Sequence, residues 1–335
     1  MNRENFTETI NQALLKARAA KLFFEEIYKD DNVNGSNEFL MFIKPEITLD
    51  DPSIEFNQIM EMIFGKIESF KLQVKNMQVI SAGYLKKYDI IARHYGVINQ
   101  LAREAKENLT GSAREKFEEI SGNDFDAANI LGGLEFIDQY PHFNATALDH
   151  LWQNSKVEKL AGGTYMARLV IDGQEVFLVN GFHPRQLEHF ILPGRSIITM
   201  TITGDTSWKD ARGKFIGSTD PSKAEKGSIR RELLEKKDEY GLTAVTPSWN
   251  GVHLSAGPVE GLVELLRYNS NLAENIILKP GDFAFGRMLQ ENFNEQEIHH
   301  ILSNGKVNVN GDEISVFDLT EEKDSKEALE LLKKL

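Results

Sequence analysis

A mixed α/β fold is what the sequence predicts, and three observations carry it. Short apolar runs such as Phe39 to Ile43 and the alternating stretch Ser196 to Thr203 read as strands. Between them lie longer segments with apolar residues at helical spacing, among them Ile54 to Ile67 and Tyr84 to Tyr95. Tyr165 to Ile171 and Gln174 to Val179 flank Asp172-Gly173, a pair suited to a type I′ hairpin turn.

Taken in order, Asn5 to Tyr28 has helical periodicity, with Phe6, Ile10, Leu14, Ala17, Ala20 and Phe24 spaced for one face. The Asp- and Asn-rich stretch Lys29 to Asn37 ends that helix. Phe39 to Ile43 is apolar enough for a central strand, and Lys44 sits where it emerges. Phe56, Ile59, Met60 and Ile63 give the next helix its apolar face, and Leu72 to Ile80 is a second strand. Gln100 to Ile120 is charged and helical with a break at Thr110-Gly111. A helix runs from Gln186 to Ile191 after His183-Pro184. Toward the end, Glu297 to Leu302 is a short helix, Val307 to Phe317 a hairpin around Asn310-Gly311, and Asp324 to Leu335 a helix capped by Asp324 or Ser325.

At 335 residues the chain calls for about two units or one elaborated domain. A formal charge of -13 argues against a general nucleic-acid or anionic-membrane binder. The absence of cysteine excludes disulfides, thiolate catalysis and cysteine metal sites, and fits a reducing compartment. No apolar run approaches a membrane span, and the acids Glu4 and Glu8 do not fit a secretory signal, so a cytoplasmic protein is expected. His142 and His150 lack ligand spacing, and the adjacent His299 and His300 do not face one site on a helix, so no protein-held metal is expected.

The chemistry concentrates between Arg212 and Glu264. Trp249 to Ser255 reads as a short strand entering the turn Ala256-Gly257-Pro258, with His253 and Ser255 on one face. Pro258 suits the first position of a helix whose apolar face is Val259, Leu262, Val263 and Leu266. Glu264 lies on that helix, which can fold back beside the strand. An imidazole can attack an electrophile through one ring nitrogen while a carboxylate holds the other, and Glu264 is placed to be that carboxylate. The bland alternative is a satisfied histidine on a half-buried strand. Upstream, Lys209, Arg212, Lys214, Lys223, Lys226, Arg230 and Arg231 outnumber Asp210, Asp220 and Glu225, a positive island in an acidic chain. Cations beside a nucleophilic histidine point to a bound anion and to phosphoryl transfer, whereas a solvated charged loop is the alternative.

These residues resemble the nucleoside diphosphate kinase family. The resemblance lies in Phe215-Ile216-Gly217-Ser218-Thr219-Asp220-Pro221, Lys226-Gly227-Ser228-Ile229-Arg230, Asn250-Gly251-Val252-His253-Leu254-Ser255 and Glu264. Thr219 to Arg230 is eleven residues, Asn250 to His253 three and His253 to Glu264 eleven, as in that family. Phe39 to Glu46 resembles its first strand with a lysine-proline-acid ending, and Leu72 to Tyr95 its second strand and following helix. The resemblance spans residues 38–97 and 182–269, which leaves 1–38 as a helical arm, 98–181 as an α/β insertion and 270–335 as an extension.

That resemblance implies a ferredoxin-like sandwich, an antiparallel sheet with flanking helices. It implies that His253 accepts the terminal phosphoryl group of a nucleoside triphosphate and passes it to a diphosphate, with Glu264 orienting the ring and Ser255 bridging to it. Lys44, Tyr95, Arg212, Thr219, Arg230 and Asn250 match positions that contact phosphates or sugar, and Phe182 is the candidate for stacking on the base. Magnesium would ride on the nucleotide's phosphates. A homo-oligomer is implied too, unless the arm, insertion and extension replace those contacts. Four departures stand against the pattern. Leu254 and Ala256 replace a glycine and an acid, Arg212 needs a one-residue insertion, Arg230 to Asn250 is long, and a large insertion separates Tyr95 from Phe182. They keep open a second reading, a nucleotide-binding regulatory module with lost or redirected turnover; a purely structural protein would have no need of the nucleophile and its cations together.

Overall fold

The sheet is what brings distant parts of the chain together. The computed structural model describes residues 3–309 and 311–335. The chain forms two units: the first takes the chain up to Tyr88 and again from Pro193, and the second is Asp89–Leu192. In chain order the strands are β1 (Phe24–Lys29), β2 (Asn37–Ile43), β3 (Gln73–Ser81), β4 (Ile130–Gly132), β5 (Val157–Ala161), β6 (Thr164–Ile171), β7 (Gln174–Val179), β8 (Ser196–Gly204), β9 (Val252–Leu254), β10 (Lys306–Val309) and β11 (Asp312–Ser315).

In the first unit the sheet order is β1-β3-β8-β2-β9, and every neighbouring pair is antiparallel. Its last four strands, read by their order along the chain, run second, third, first, fourth. This is the ferredoxin-like arrangement, in which a later strand inserts between two joined by a helix. Strand β2 is buried along its whole length. Phe39, Met41 and Ile43 join Ile198, Met200, Ile202, Val252 and Leu254 in one core beneath the helices Phe56–Ser69 and Ile229–Glu235. Those two helices are tied by Lys66 and Glu232, 2.9 Å apart. Leu40 and Phe42 alternate to the opposite face, where Tyr268 of the helix Pro258–Asn269 packs on the Phe42 ring at 5.5 Å.

The amino-terminal helix stops earlier than its periodicity predicts. It spans Arg3–Ala19, and Phe24 to Tyr28, expected to continue it, lies in the edge strand β1. Pairing decides the matter: β1 satisfies the outer edge of β3, whose peptide groups would otherwise lack partners within the sheet. The expected helix Tyr84 to Tyr95 is also broken, into Ala82–Lys87 and Ile90–His94, with Asp89 left-handed at φ +51° between them.

The second unit holds its own sheet, β4-β7-β6-β5, with β4 parallel to β7 and the other pairs antiparallel. Asp172 and Gly173 both take positive φ, 53° and 78°, as the expected turn requires. Phe117, Phe125 and Phe177 belong to one of its cores, and Phe136, Trp152 and Leu178 to another. No helix among the described residues is long and apolar enough to cross a membrane.

Candidate active site

His253 stands in the middle of β9, opposite Phe42 of β2. The two rings stack with centroids 4.5 Å apart and planes 19° from parallel, so the phenyl group fixes one face of the imidazole. The predicted strand from Trp249 is shorter than expected, only Val252–Leu254. After it Gly257 is the N-cap and Pro258 the first residue of the helix Pro258–Asn269, which folds back across this face of the sheet. That return brings Glu264, 2 % exposed, to His253: Nε2 lies 3.0 Å from each carboxylate oxygen. The buried face of the helix is not quite the expected one. Val259, Leu262, Leu265 and Tyr268 are buried, while Val263 and Leu266 are only half-buried. A stripe centred on Leu262, Leu265 and Tyr268 is what turns Glu264 inward.

The Lys44-Pro45-Glu46 segment serves as a clamp. Pro45 opens a short buried helix, Pro45–Thr48, and the Glu46 carboxylate accepts the Gly251 N–H at 2.8 Å. In return the Lys44 N–H donates to the Gly251 carbonyl, also at 2.8 Å. Gly251 is left-handed at φ +77°, and a Cβ there would lie 2.5 Å from Leu233 Cδ1 and 2.8 Å from Ile47 Cδ1. Only glycine fits the conformation and the space together. Lys44 as a residue is 7 % exposed, and its ammonium donates to the Ser248 carbonyl at 3.5 Å. Burial pushes its pKa down to about 8; Glu46 opposes the shift and Arg230 adds to it.

Arg230, buried, donates to the carbonyls of Gly217 at 2.8 Å and Val252 at 3.0 Å, joining the loop before its helix to the residue preceding His253. Asn250 donates through Nδ2 to the carbonyls of Thr219 and Pro247 at 3.0 and 3.1 Å. Its Oδ1 is buried with no hydrogen-bond partner among the described residues. Thr219 itself is exposed.

The expectation of a positive island facing the histidine needs correction, because several of its cations are paired with acids. Lys214 lies 2.9 Å from Asp210, Lys223 3.5 Å from Asp220 and Arg231 2.7 Å from Glu235. Arg212 lies in a π-helical segment, Ala211–Ile216, and its guanidinium is 3.1 Å from Glu321 and 3.8 Å from Glu322 of the carboxy-terminal extension.

The implied bridge from Ser255 to Glu264 is not formed. The Ser255 hydroxyl donates to the Leu40 carbonyl and accepts the Leu40 N–H, both at 3.1 Å, and the Ser255 N–H donates to the same carbonyl at 3.0 Å, so the hydroxyl is taken up by the edge of β2. Tyr95 and Phe182 belong to the second unit. There Tyr95 packs edge-on to His183 at 6.1 Å, and Phe182 precedes the helix His183–Ile191 with its ring 5.9 Å from Trp152.

The roles of three residues at this site escaped sequence reasoning. Phe42 and the hydrogen bond made by Glu46 depend on the pairing of β2 with β9, which no local pattern reveals. Glu260 was legible, since it lies one helical turn before Glu264 on the same side. Half-buried, its carboxyl is raised to about 8 by desolvation and by the Glu264 charge; Arg212 opposes this, Glu321 adds to it and Arg267 opposes it.

No family model matches the chain, and no curated protein matches it. Among solved structures, an NDP kinase from Pyrobaculum aerophilum is similar at 16% identity with a TM-score of 0.34, covering 72% of this chain and 99% of that one. A likeness at that score says nothing of activity.

Proposed function

We propose that this protein is a nucleoside diphosphate kinase-like phosphotransferase that works through a phosphohistidine at His253. The observation that carries the reading is the His253–Glu264 pair, an imidazole Nε2 at 3.0 Å from a buried carboxylate. With the Nε2 proton held toward Glu264, the ring's lone pair is on Nδ1. In the first step that lone pair forms a bond to the γ-phosphorus, the bond from phosphorus to the β,γ-bridging oxygen breaks, and the diphosphate leaves with the electron pair. In the second, a terminal oxygen of another diphosphate attacks the same phosphorus and the imidazole is released. Glu264 stabilises the positive charge on the ring while it is phosphorylated. Lys44 and Arg230 supply positive charge beside β9, and Lys44, with a pKa of about 8, is mostly protonated at neutral pH. Asn250 Oδ1, a buried acceptor, suits a hydroxyl donor such as that of a sugar.

Glu264 and Glu46 are already engaged, by His253 and by the Gly251 N–H. The residues therefore fit magnesium carried on nucleotide phosphates better than an ion caged by the protein. When bound, such an ion would neutralise phosphate charge. Incubation with a γ-labelled nucleoside triphosphate tests the proposal. Acid-labile label on the protein, chased off by a diphosphate and absent in His253→Ala, is the expected result, and no label overturns it. A second reading, a nucleotide-binding regulatory module, is favoured by the occupation of Arg212 by Glu321 and Glu322, and binding without labelling would select it.

A further inference from the structure

We infer that the turn Glu321-Glu322 in the carboxy-terminal extension is a built-in anionic competitor for the site's phosphate-binding charge, and that it sets how tightly the site takes a polyphosphate. The inference rests on the phosphotransferase reading for the identity of the ligand. Its geometry stands independently.

The turn is anchored, not dangling. It follows the helix Val316–Thr320, whose Val316 and Thr320 are fully buried. The Glu322 N–H donates to the Ala256 carbonyl at 2.9 Å, so the turn is bonded to the residue three places after His253. Gly257 permits this approach, since a Cβ there would meet the Thr320 carbonyl oxygen at 2.5 Å. Glu322 itself adopts φ +56°, a conformation rare for a residue with a side chain.

From that anchor both carboxylates reach Arg212, at 3.1 and 3.8 Å. Arg212 lies on the segment Ala211–Ile216, which packs against β9, the strand that carries His253. The contested guanidinium therefore belongs to the surroundings of β9, as does the turn bonded to Ala256. An anion binding there must exchange the Glu321 and Glu322 carboxylates for its own oxygens. The exchange is feasible because the acid side chains are 47% and 45% exposed and can swing into water while the backbone stays bonded to Ala256. Exposed pairs of this kind are weak one by one, but a tethered competitor acts at high local concentration.

The test compares wild type with the double variant Glu321→Gln/Glu322→Gln, which keeps the backbone bond to Ala256. A charge-matched control, Glu327→Gln/Glu330→Gln, removes two exposed acids from the helix Ser325–Leu332. Direct titration with a fluorescent non-hydrolysable ATP analogue and magnesium should give about two- to fivefold tighter binding in the double variant only. In turnover, KM should fall with kcat unchanged, the mark of a ground-state competitor removed. Structural damage would weaken binding, so it cannot imitate this result. Equal affinities in wild type and double variant, or an equal gain in the control, overturn the inference. If the double variant binds more tightly but wild type and variant are both never labelled at His253, the competitor stands and the phosphotransfer reading falls. If wild type and double variant both fail to bind the analogue, both fall.

Discussion

Glu264 meets His253 Nε2 with both carboxylate oxygens at 3.0 Å, across eleven residues of sequence. The contact fixes the ring's tautomer and places a negative charge where phosphorylation would create a positive one. Glu264→Gln keeps the volume and removes the charge. Initial rates of label transfer should fall about a hundredfold or more, with the melting temperature little changed, and an undiminished rate would show the carboxylate to be ornamental.

Gly251 carries the clamp between β2 and β9. Gly251→Ala places a methyl group against Leu233 and Ile47 in a backbone conformation at φ +77°. Chemical denaturation should show a loss of about 2 kcal/mol or more. Because Glu46 and Lys44 both bond to this residue, nucleotide binding should weaken in the same variant.

Lys44 should make nucleotide binding depend on pH. Its pKa is lowered to about 8, so in the free protein the ammonium is lost as pH rises through that value. Phosphate beside it favours the charged form, so affinity should fall across that range and binding should take up protons. Calorimetry in buffers of different ionisation enthalpy measures the uptake directly. In Lys44→Met the uptake should vanish.

Glu260 should couple stability to pH in the opposite sense from a salt-bridged acid. Its folded-state pKa, about 8, lies above its ordinary value of 4.5, so its contribution is fully present below the lower value and is lost as pH rises through the higher. The groups that act on it are Glu264, Arg212, Glu321 and Arg267. Glu260→Gln should flatten that loss, losing about 2–4 °C less in Tm than wild type between about pH 5 and about pH 9. Parallel melting curves for the two proteins would refute the assignment.

Much of the fold was legible because its elements are locally patterned. The alternation in Ser196 to Thr203 became β8, and Asp172-Gly173 turned the hairpin between β6 and β7. Pro258 and the spacing of its helix returned Glu264 to His253, a contact that needs only a strand, a turn and about two helical turns. Where local preference and long-range pairing disagreed, pairing won. Phe24 to Tyr28 left their helical periodicity to close the edge of β3, and Ser255 placed its hydroxyl on Leu40 instead of Glu264.

The sequence by itself determined the candidate histidine, its carboxylate and the strand-turn-helix unit that joins them, because all three lie within one short stretch whose geometry follows from residue spacing. Tertiary structure alone decided that Glu46 would hold Gly251, that Phe42 would stack on His253, and that Glu321 would occupy Arg212. Each of those contacts joins segments more than a hundred residues apart. Neither partner's neighbours carry a trace of the other; only the order of strands in the sheet and the burial of the last helices bring them together.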